Sequence, residues 1–232
     1  MDLYFGPVLA QFHLLAWGFL LTIELSVAAI LLGSAVGLLA ATFRNMGPRF
    51  LTWPVDVYVE LIRNTPFLVQ LYIIFFGLPS IGFRLTALEA GLIALTVNLG
   101  AYSTEIFRAG IESVHRTQIE AGAALALTRL QIFVHIILRP AVGRVWPALV
   151  SQFILLMLTS SVCSFVSLEE LSGAANTIQS ATFRSLETYL IAGLMYLVLA
   201  VCMKSLLFWL GQVLFTNREK LPPAKMLAEL PA

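Results

Sequence analysis

The sequence predicts an all-helical integral membrane protein, and three observations carry that prediction. Of 232 residues, 59% are hydrophobic and only 12% are charged, far less polar surface than a soluble domain requires. The charges collect between long apolar runs instead of spreading along amphipathic faces. About five runs have the length of roughly 20 apolar residues that a helix needs to cross about 30 Å of hydrocarbon. They are Leu14 to Phe43, Tyr58 to Leu78, Thr86 to Phe107, Val145 to Leu168 and Tyr189 to Phe215. In lipid every backbone polar group must be paired within its own segment, so such runs are helices and not strands.

Orientation follows from the basic residues, because cytoplasmic loops carry the excess of Lys and Arg. Arg44 and Arg49 follow the first run, Arg116, Arg129, Arg139 and Arg144 lie between the third and fourth, and Arg218, Lys220 and Lys225 close the chain. The opposite connections hold only Arg84 and Arg184. This bias predicts residues 1–13 outside, a membrane domain over 14–215 with a large cytoplasmic loop at about 112–144, and a cytoplasmic tail at 216–232. A net charge of +1 gives no reason to expect a nucleic-acid partner.

The first run is too long for a signal-peptide core and has neither a preceding basic region nor a small-residue cleavage signal. Gly33 and Gly37 form a GxxxG pair, which suits close helix packing inside one bundle or between two chains. Glu24 lies toward the outer end of this run, where a carboxylate snorkels or faces a cavity. In the second run Asp56, Glu60 and Arg63 fall on one helical face at the cytoplasmic boundary. Asn64-Thr65-Pro66 then interrupts the helix, since proline lacks a donor and disfavours helical geometry in the residue before it. Either a broken helix lining a pathway or an ordinary kink satisfies that pattern.

The third run carries Asn98, Tyr102, Glu105 and Arg108 on one face. Polar groups so aligned point into a bundle or toward water; the face lines a translocation pathway or forms a structural network in which Glu105 pairs with Arg108. Lys204 lies in the fifth run about 16 Å from its inner end, too deep for easy snorkelling, and wants a carboxylate or a wet cavity. Cys163 and Cys202 sit in or beside apolar segments as small hydrophobes, and neither a disulfide framework nor a metal site follows from them.

The segment Gln118-Ile119-Glu120-Ala121-Gly122-Ala123-Ala124-Leu125-Ala126-Leu127-Thr128 resembles the first half of the cytoplasmic EAA loop of bacterial ABC-importer permeases. The branch it resembles serves polar amino acids and opines, including histidine, arginine, glutamine and glutamate. Ile136-Ile137-Leu138, Pro140-Ala141 and Gln152-Phe153-Ile154 continue the match, and Gly18 to Leu39, Glu60 to Pro79 and Ala101 to Ile111 look like the family's first three spans. The resemblance covers about nine tenths of the chain. Three departures stand out: Ala126 replaces the usual glycine after the docking helix, Arg139 displaces the expected proline to Pro140, and Met157 and Leu158 replace polar residues before Thr159-Ser160.

The resemblance implies the architecture of a type I ABC importer permease in the bacterial cytoplasmic (inner) membrane. It implies partners too: two ATP-binding-cassette ATPase subunits, a second permease chain, identical or a sister, an external solute-binding protein, and a polar amino acid as substrate. Coupling to the ATPase would fall to Gln118, Glu120, Ala121, Gly122, Ala123, Ala126, Leu127 and Arg129. The candidate substrate pathway comprises Arg63, Thr65, Gln70, Asn98, Tyr102, Glu105, Thr159 and Lys204. No GxxxxGK[ST] phosphate loop occurs in the chain, so ATP and Mg belong to the partner ATPase and this chain carries no cofactor, catalytic residue or metal ligand of its own. Two other classes remain open at this level. An autonomous channel or secondary transporter would use Glu24, Glu105 and Lys204 as an ion relay, although no inverted repeat is visible. A membrane-embedded enzyme would need clustered nucleophile, acid and base groups, which His13, His115 and His135 do not form.

Overall fold

Pro48, Pro66 and Thr86, each in an extended conformation, start three of the helices that build the molecule. The computed structural model describes residues 3–215, apart from the side chains of Arg49 and Leu51. A short turn, α1 (Gly6–Leu9), precedes the 35-residue α2 (Phe12–Met46). Then follow α3 (Arg49–Arg63), α4 (Phe67–Ser80), α5 (Ala87–Glu112) and the short α6 (Arg116–Ala124). The long α7 (Arg129–Val166), α8 (Leu171–Thr182) and α9 (Ser185–Phe215) complete the described chain. The expected tail at 216–232 lies outside the described residues.

By length and composition, three helices (α2, α7 and α9) are apolar enough to cross a membrane, and the bent pair Thr52–Arg63 with Phe67–Ser80 makes a possible fourth. The expectation of about five spans is met to that extent. The third predicted run does form the 26-residue α5, about 39 Å long at helical rise, but Asn98, Tyr102, Glu105 and Arg108 dilute its apolar character. It occupies the centre of the bundle, packed most extensively on α2 and also on α3 and α7. Its start is fixed by a capping box: the Glu89 amide donates to Thr86 Oγ1 at 3.3 Å, and the Thr86 amide donates to Glu89 Oε2 at 2.8 Å.

The interruption expected at Asn64-Thr65-Pro66 is a bend of 110° between α3 and α4. Two π turns, Ile73–Gly77 and Ile132–Leu138, each end two residues before a proline, Pro79 or Pro140. Because proline has no N–H with which to continue the α ladder, the wider turn is a local accommodation.

The core joins Leu25, Ala29 and Ala41 of α2 to Leu95, Leu99 and Phe107 of α5 and to Leu149, Phe153 and Leu156 of α7. The glycine pair serves this packing. A Cβ on Gly33 would lie 2.8 Å from Leu99 Cβ, and one on Gly37 would lie 2.5 Å from Ser103 Cβ. Close approach of α2 to α5 within one chain therefore accounts for the GxxxG pattern.

Candidate functional site

Where α2, α3 and α5 converge, their polar faces enclose a chamber of about 340 Å³ lined by Arg44, Asp56, Glu60, Arg63, Tyr102 and Glu105, among others. Arg44 Nε lies 2.7 Å from Asp56 Oδ1, and its Nη1 bonds Glu105. Glu105 also accepts from Arg108 at 2.9 and 3.0 Å, and Arg108 reaches Glu112 at 2.7 Å. The network expected between Glu105 and Arg108 is therefore present, extended by Arg44 from another helix. The Arg63 guanidinium lies over the Tyr102 ring, 5.4 Å from its centroid, an arrangement that leaves the planar fork's donors available. Among the described residues, neither Arg63 nor Glu60 makes an ion pair. Among the described residues the chamber thus presents one cation and one carboxylate outside any ion pair, beside the ion-paired Arg44–Asp56–Glu105 cluster.

Next to the chamber, a hydrogen-bond staple holds the α3–α4 bend. Gln70 is buried, and its amide nitrogen donates to Ile62 O at 2.7 Å and to Thr65 O and Oγ1 at 3.0 Å. Its oxygen accepts from Asn98 Nδ2 at 3.0 Å. Thr65 Oγ1 also donates to Leu61 O at 2.8 Å. Gln70, Thr65 and Asn98 therefore position the bend that brings Arg63 over Tyr102. Thr159 stands apart and returns its hydroxyl to Leu155 O at 2.8 Å. Lys204 is also apart: it is exposed on α9, a helix that packs on α7 and α8, and it makes no ion pair among the described residues. Glu24 is likewise exposed on α2.

The sequence reading missed Arg44, Asp56 and Glu60 as site residues. A usable signal was present: the Asp56, Glu60 and Arg63 face and the Asn98, Tyr102 and Glu105 face lie on consecutive apolar runs, and two polar stripes in a bundle are buried against each other.

The segment from Gln118 that resembles the coupling loop falls in α6, which starts at Arg116 and ends at Ala124. His115 caps its start, and Arg116 Nε bonds Glu120 Oε1 at 2.8 Å. Gly122 is buried, and a Cβ there would lie 2.4 Å from Ile136 Cδ1, so glycine lets α6 lie against the π turn of α7. Ala121, Ala123 and Ala126 are exposed, Leu127 is half-buried, and Thr128 caps the next helix beside exposed Arg129. Ala126 adopts φ 56°, Leu127 N donates to Gly122 O at 3.2 Å and Ala126 N donates to Ala123 O at 3.0 Å. These bonds form a Schellman cap. The left-handed conformation is adopted although the residue is alanine and not glycine.

A bundle of long apolar helices around a polar chamber, with a short exposed helix between two of them, defines a membrane permease. Residues 8–215 match the family described as binding-protein-dependent transport system inner membrane component, and the chain belongs to that family. The chain is similar to the probable glutamine ABC transporter permease protein GlnM of Bacillus subtilis, 37% identical over 184 residues, covering 79% of this chain and 85% of that one. It is 31% identical over 202 residues to the arginine transport system permease protein ArtQ of the same organism, covering 87% and 92%. A crystal structure of an amino acid ABC transporter with histidines superposes with a TM-score of 0.84 at 32% identity, covering 92% of this chain and 100% of that one. The protein is thus a multi-pass inner-membrane permease component of a binding-protein-dependent ABC transporter and not its catalytic subunit. Such a complex entails an ATPase and a solute-binding protein as partners.

Proposed function

We propose that this permease conducts a polar, zwitterionic amino acid through the chamber between α3 and α5. The observation that carries the reading is the couple of Arg63 and Glu60 on adjacent turns of one helix, neither in an ion pair among the described residues. An amino acid crossing hydrocarbon must exchange its water for protein donors and acceptors, because unpaired polar groups in an apolar medium cost roughly 2–7 kcal/mol each. Arg63 meets the substrate carboxylate, Glu60 meets its ammonium, and Tyr102 forms the wall that orients the guanidinium. The names of the relatives, which specify glutamine and arginine transport, and the solved amino acid transporter with histidines support this substrate class.

In this reading the chain makes five crossings, with residues 1–13 external and residues 14–215 forming the permease. The loop at about 112–144 and the tail at 216–232 are cytoplasmic. Two permease chains, identical or sister, pair with two ATPase subunits that hold ATP and Mg. ATP-driven closure reaches the chamber through α6, with Glu120 and the small residues around it seated on the ATPase. The test is uptake of labelled amino acid by cells or proteoliposomes carrying Glu60→Gln or Arg63→Gln. Each removes one charge-assisted contact, so uptake should fall about tenfold or more. Unchanged uptake in both variants places the pathway elsewhere.

A further inference from the structure

Against the face of α6 that carries Gln118 and Ala121 lies a second cavity, larger than the chamber at about 780 Å³, between α6, the start of α7 and the end of α9. We propose that it holds the headgroup and upper acyl chain of an anionic glycerophospholipid. Three observations converge on that occupant.

The first is charge. Arg139, Arg144 and His135 line the cavity, and no acidic side chain does among the described residues. Arg139 makes no ion pair among the described residues. Among the described residues Arg144 donates only to the Ser113 carbonyl and, at 3.1 Å, to its hydroxyl, so no carboxylate there neutralises its charge. An anion completes such a site. The second is amphipathicity: Ile136, Pro140 and Phe215 form an apolar wall beside the cationic rim, which suits an amphiphile better than a free phosphate. The third is depth. Phe215 packs on Trp146 with ring centroids 5.4 Å apart, and Trp146 Nε1 donates to Leu207 O at 2.9 Å. An indole at the junction of two apolar helices, close to where both meet the charged loop, marks the membrane–water boundary. Basic pockets between helices at that level suit acidic headgroups.

The inference rests on the permease reading, with α6 at the cytoplasmic face, and places a lipid beside the helix that meets the ATPase, in contact with its Gln118 and Ala121. Arg139, which displaces a proline from its usual place in the resemblance, supplies an exposed charge outside any ion pair among the described residues. Bound lipid would then bear on how firmly α6 is seated.

The test uses the whole permease–ATPase complex in nanodiscs of phosphatidylcholine mixed with phosphatidylglycerol, released into the gas phase for native mass spectrometry. The expected result is retention of phosphatidylglycerol in preference to phosphatidylcholine by the unaltered complex. Retention should fall about fivefold for Arg139→Gln, the factor for one cationic side chain at an anionic surface, and survive in Arg139→Lys, which controls for folding. Equal retention of both lipids, or equal retention by Arg139→Gln, overturns the proposal. So does loss of the ATPase from Arg139→Gln with its lipid retained, which would assign the cavity to a protein contact. Lipid mass is read independently of uptake, so a failure of transport in the unaltered complex would count against the permease reading alone.

Discussion

The Tyr196 hydroxyl donates a 2.5 Å hydrogen bond to Glu170 Oε2, tying the last long helix to the start of α8. Glu170 is completely buried, and its other donors are Thr22 Oγ1 at 3.3 Å and the amides of Ser172 and Gly173 at 2.8 and 3.0 Å. One carboxyl group thus joins α2, α8 and α9. Hydrogen bonds to charged groups contribute about 1.5–3 kcal/mol, so Tyr196→Phe should lower the stability of the purified complex by that amount, read as a shift in melting temperature.

Glu170 also gives the protein a defined pH response. Burial pushes its carboxyl above the usual carboxylate range, against the opposing pull of Tyr196, Ser172, Gly173 and Thr22. With a folded pKa above the unfolded value of about 4.3, the folded state holds the proton more tightly. The resulting stability is fully present below the unfolded pKa and is lost as pH rises through the folded one. Glu170→Gln cannot titrate. The melting temperature of the unaltered protein relative to that variant should therefore fall as pH rises through this window and level off above it. A difference independent of pH would show that Glu170 keeps one protonation state throughout.

Gly37 and Gly193 make opposite predictions for a side chain placed on a helical glycine. A Cβ at Gly37 would lie 2.5 Å from Ser103 Cβ and 3.0 Å from Thr104 N, so α2 and α5 would have to separate. Gly37→Val should cost at least about 1–3 kcal/mol through overpacking. Nothing lies within 4 Å of a Cβ at Gly193, and Gly193→Ala should stabilise α9 by about 1 kcal/mol through helix propensity. Thermal unfolding of both variants checks the contrast, and a stable Gly37→Val would remove the close α2–α5 crossing.

What could be read from the sequence was local. The break at Pro66 and the helix around Glu120 depend on residues a few positions apart, and each lies where the pattern placed it. The Glu105–Arg108 pair was legible for the same reason, being one helical turn long. Its third member was not: Arg44 is 61 residues from Glu105 in sequence, and no periodicity within one run reveals which run it will face. Lys204 shows the converse limit. Its depth was legible, but which side of α9 meets the bundle depends on packing with α7 and α8, and the structure leaves it exposed. The left-handed Ala126 lay beyond propensity, because the Schellman bonds of Leu127 and Ala126 outweigh a preference that favours glycine.

Ala126→Gly tests that balance. A left-handed alanine carries a cost of roughly 1–2 kcal/mol, part of which glycine returns as unfolded-chain entropy. A net gain of about 1 kcal/mol in local stability should slow hydrogen exchange across Arg116–Leu127. Faster exchange in the variant would show that the alanine is held there by contacts stronger than the backbone strain.

Topology is decided by thiol accessibility. In a background lacking Cys163 and Cys202, a cysteine replacing Ser185, the exposed first residue of α9, should react with an impermeant reagent in intact cells. One replacing Ala224, outside the described residues, should react only after lysis. The reverse pattern would invert every assignment of sidedness, including the cytoplasmic position of α6.

Glu120→Lys separates coupling from folding. Arg116 and Glu120 form an ion pair at 2.8 Å with side chains 88% and 60% exposed, and exposed pairs contribute at most about 1 kcal/mol. The substitution should therefore leave membrane insertion and melting temperature almost unchanged. Its effect belongs to the surface that α6 presents: a carboxylate flanked by exposed Ala121 and Ala123, small enough for a partner backbone to approach closely. Reversing that charge should reduce uptake by about tenfold or more, consistent with losing a charge-assisted contact at a protein interface, while the ATPase subunits remain able to hydrolyse ATP. Measuring uptake and hydrolysis on the same reconstituted complex reads the ratio directly. Normal uptake with normal hydrolysis would remove α6 from the coupling path.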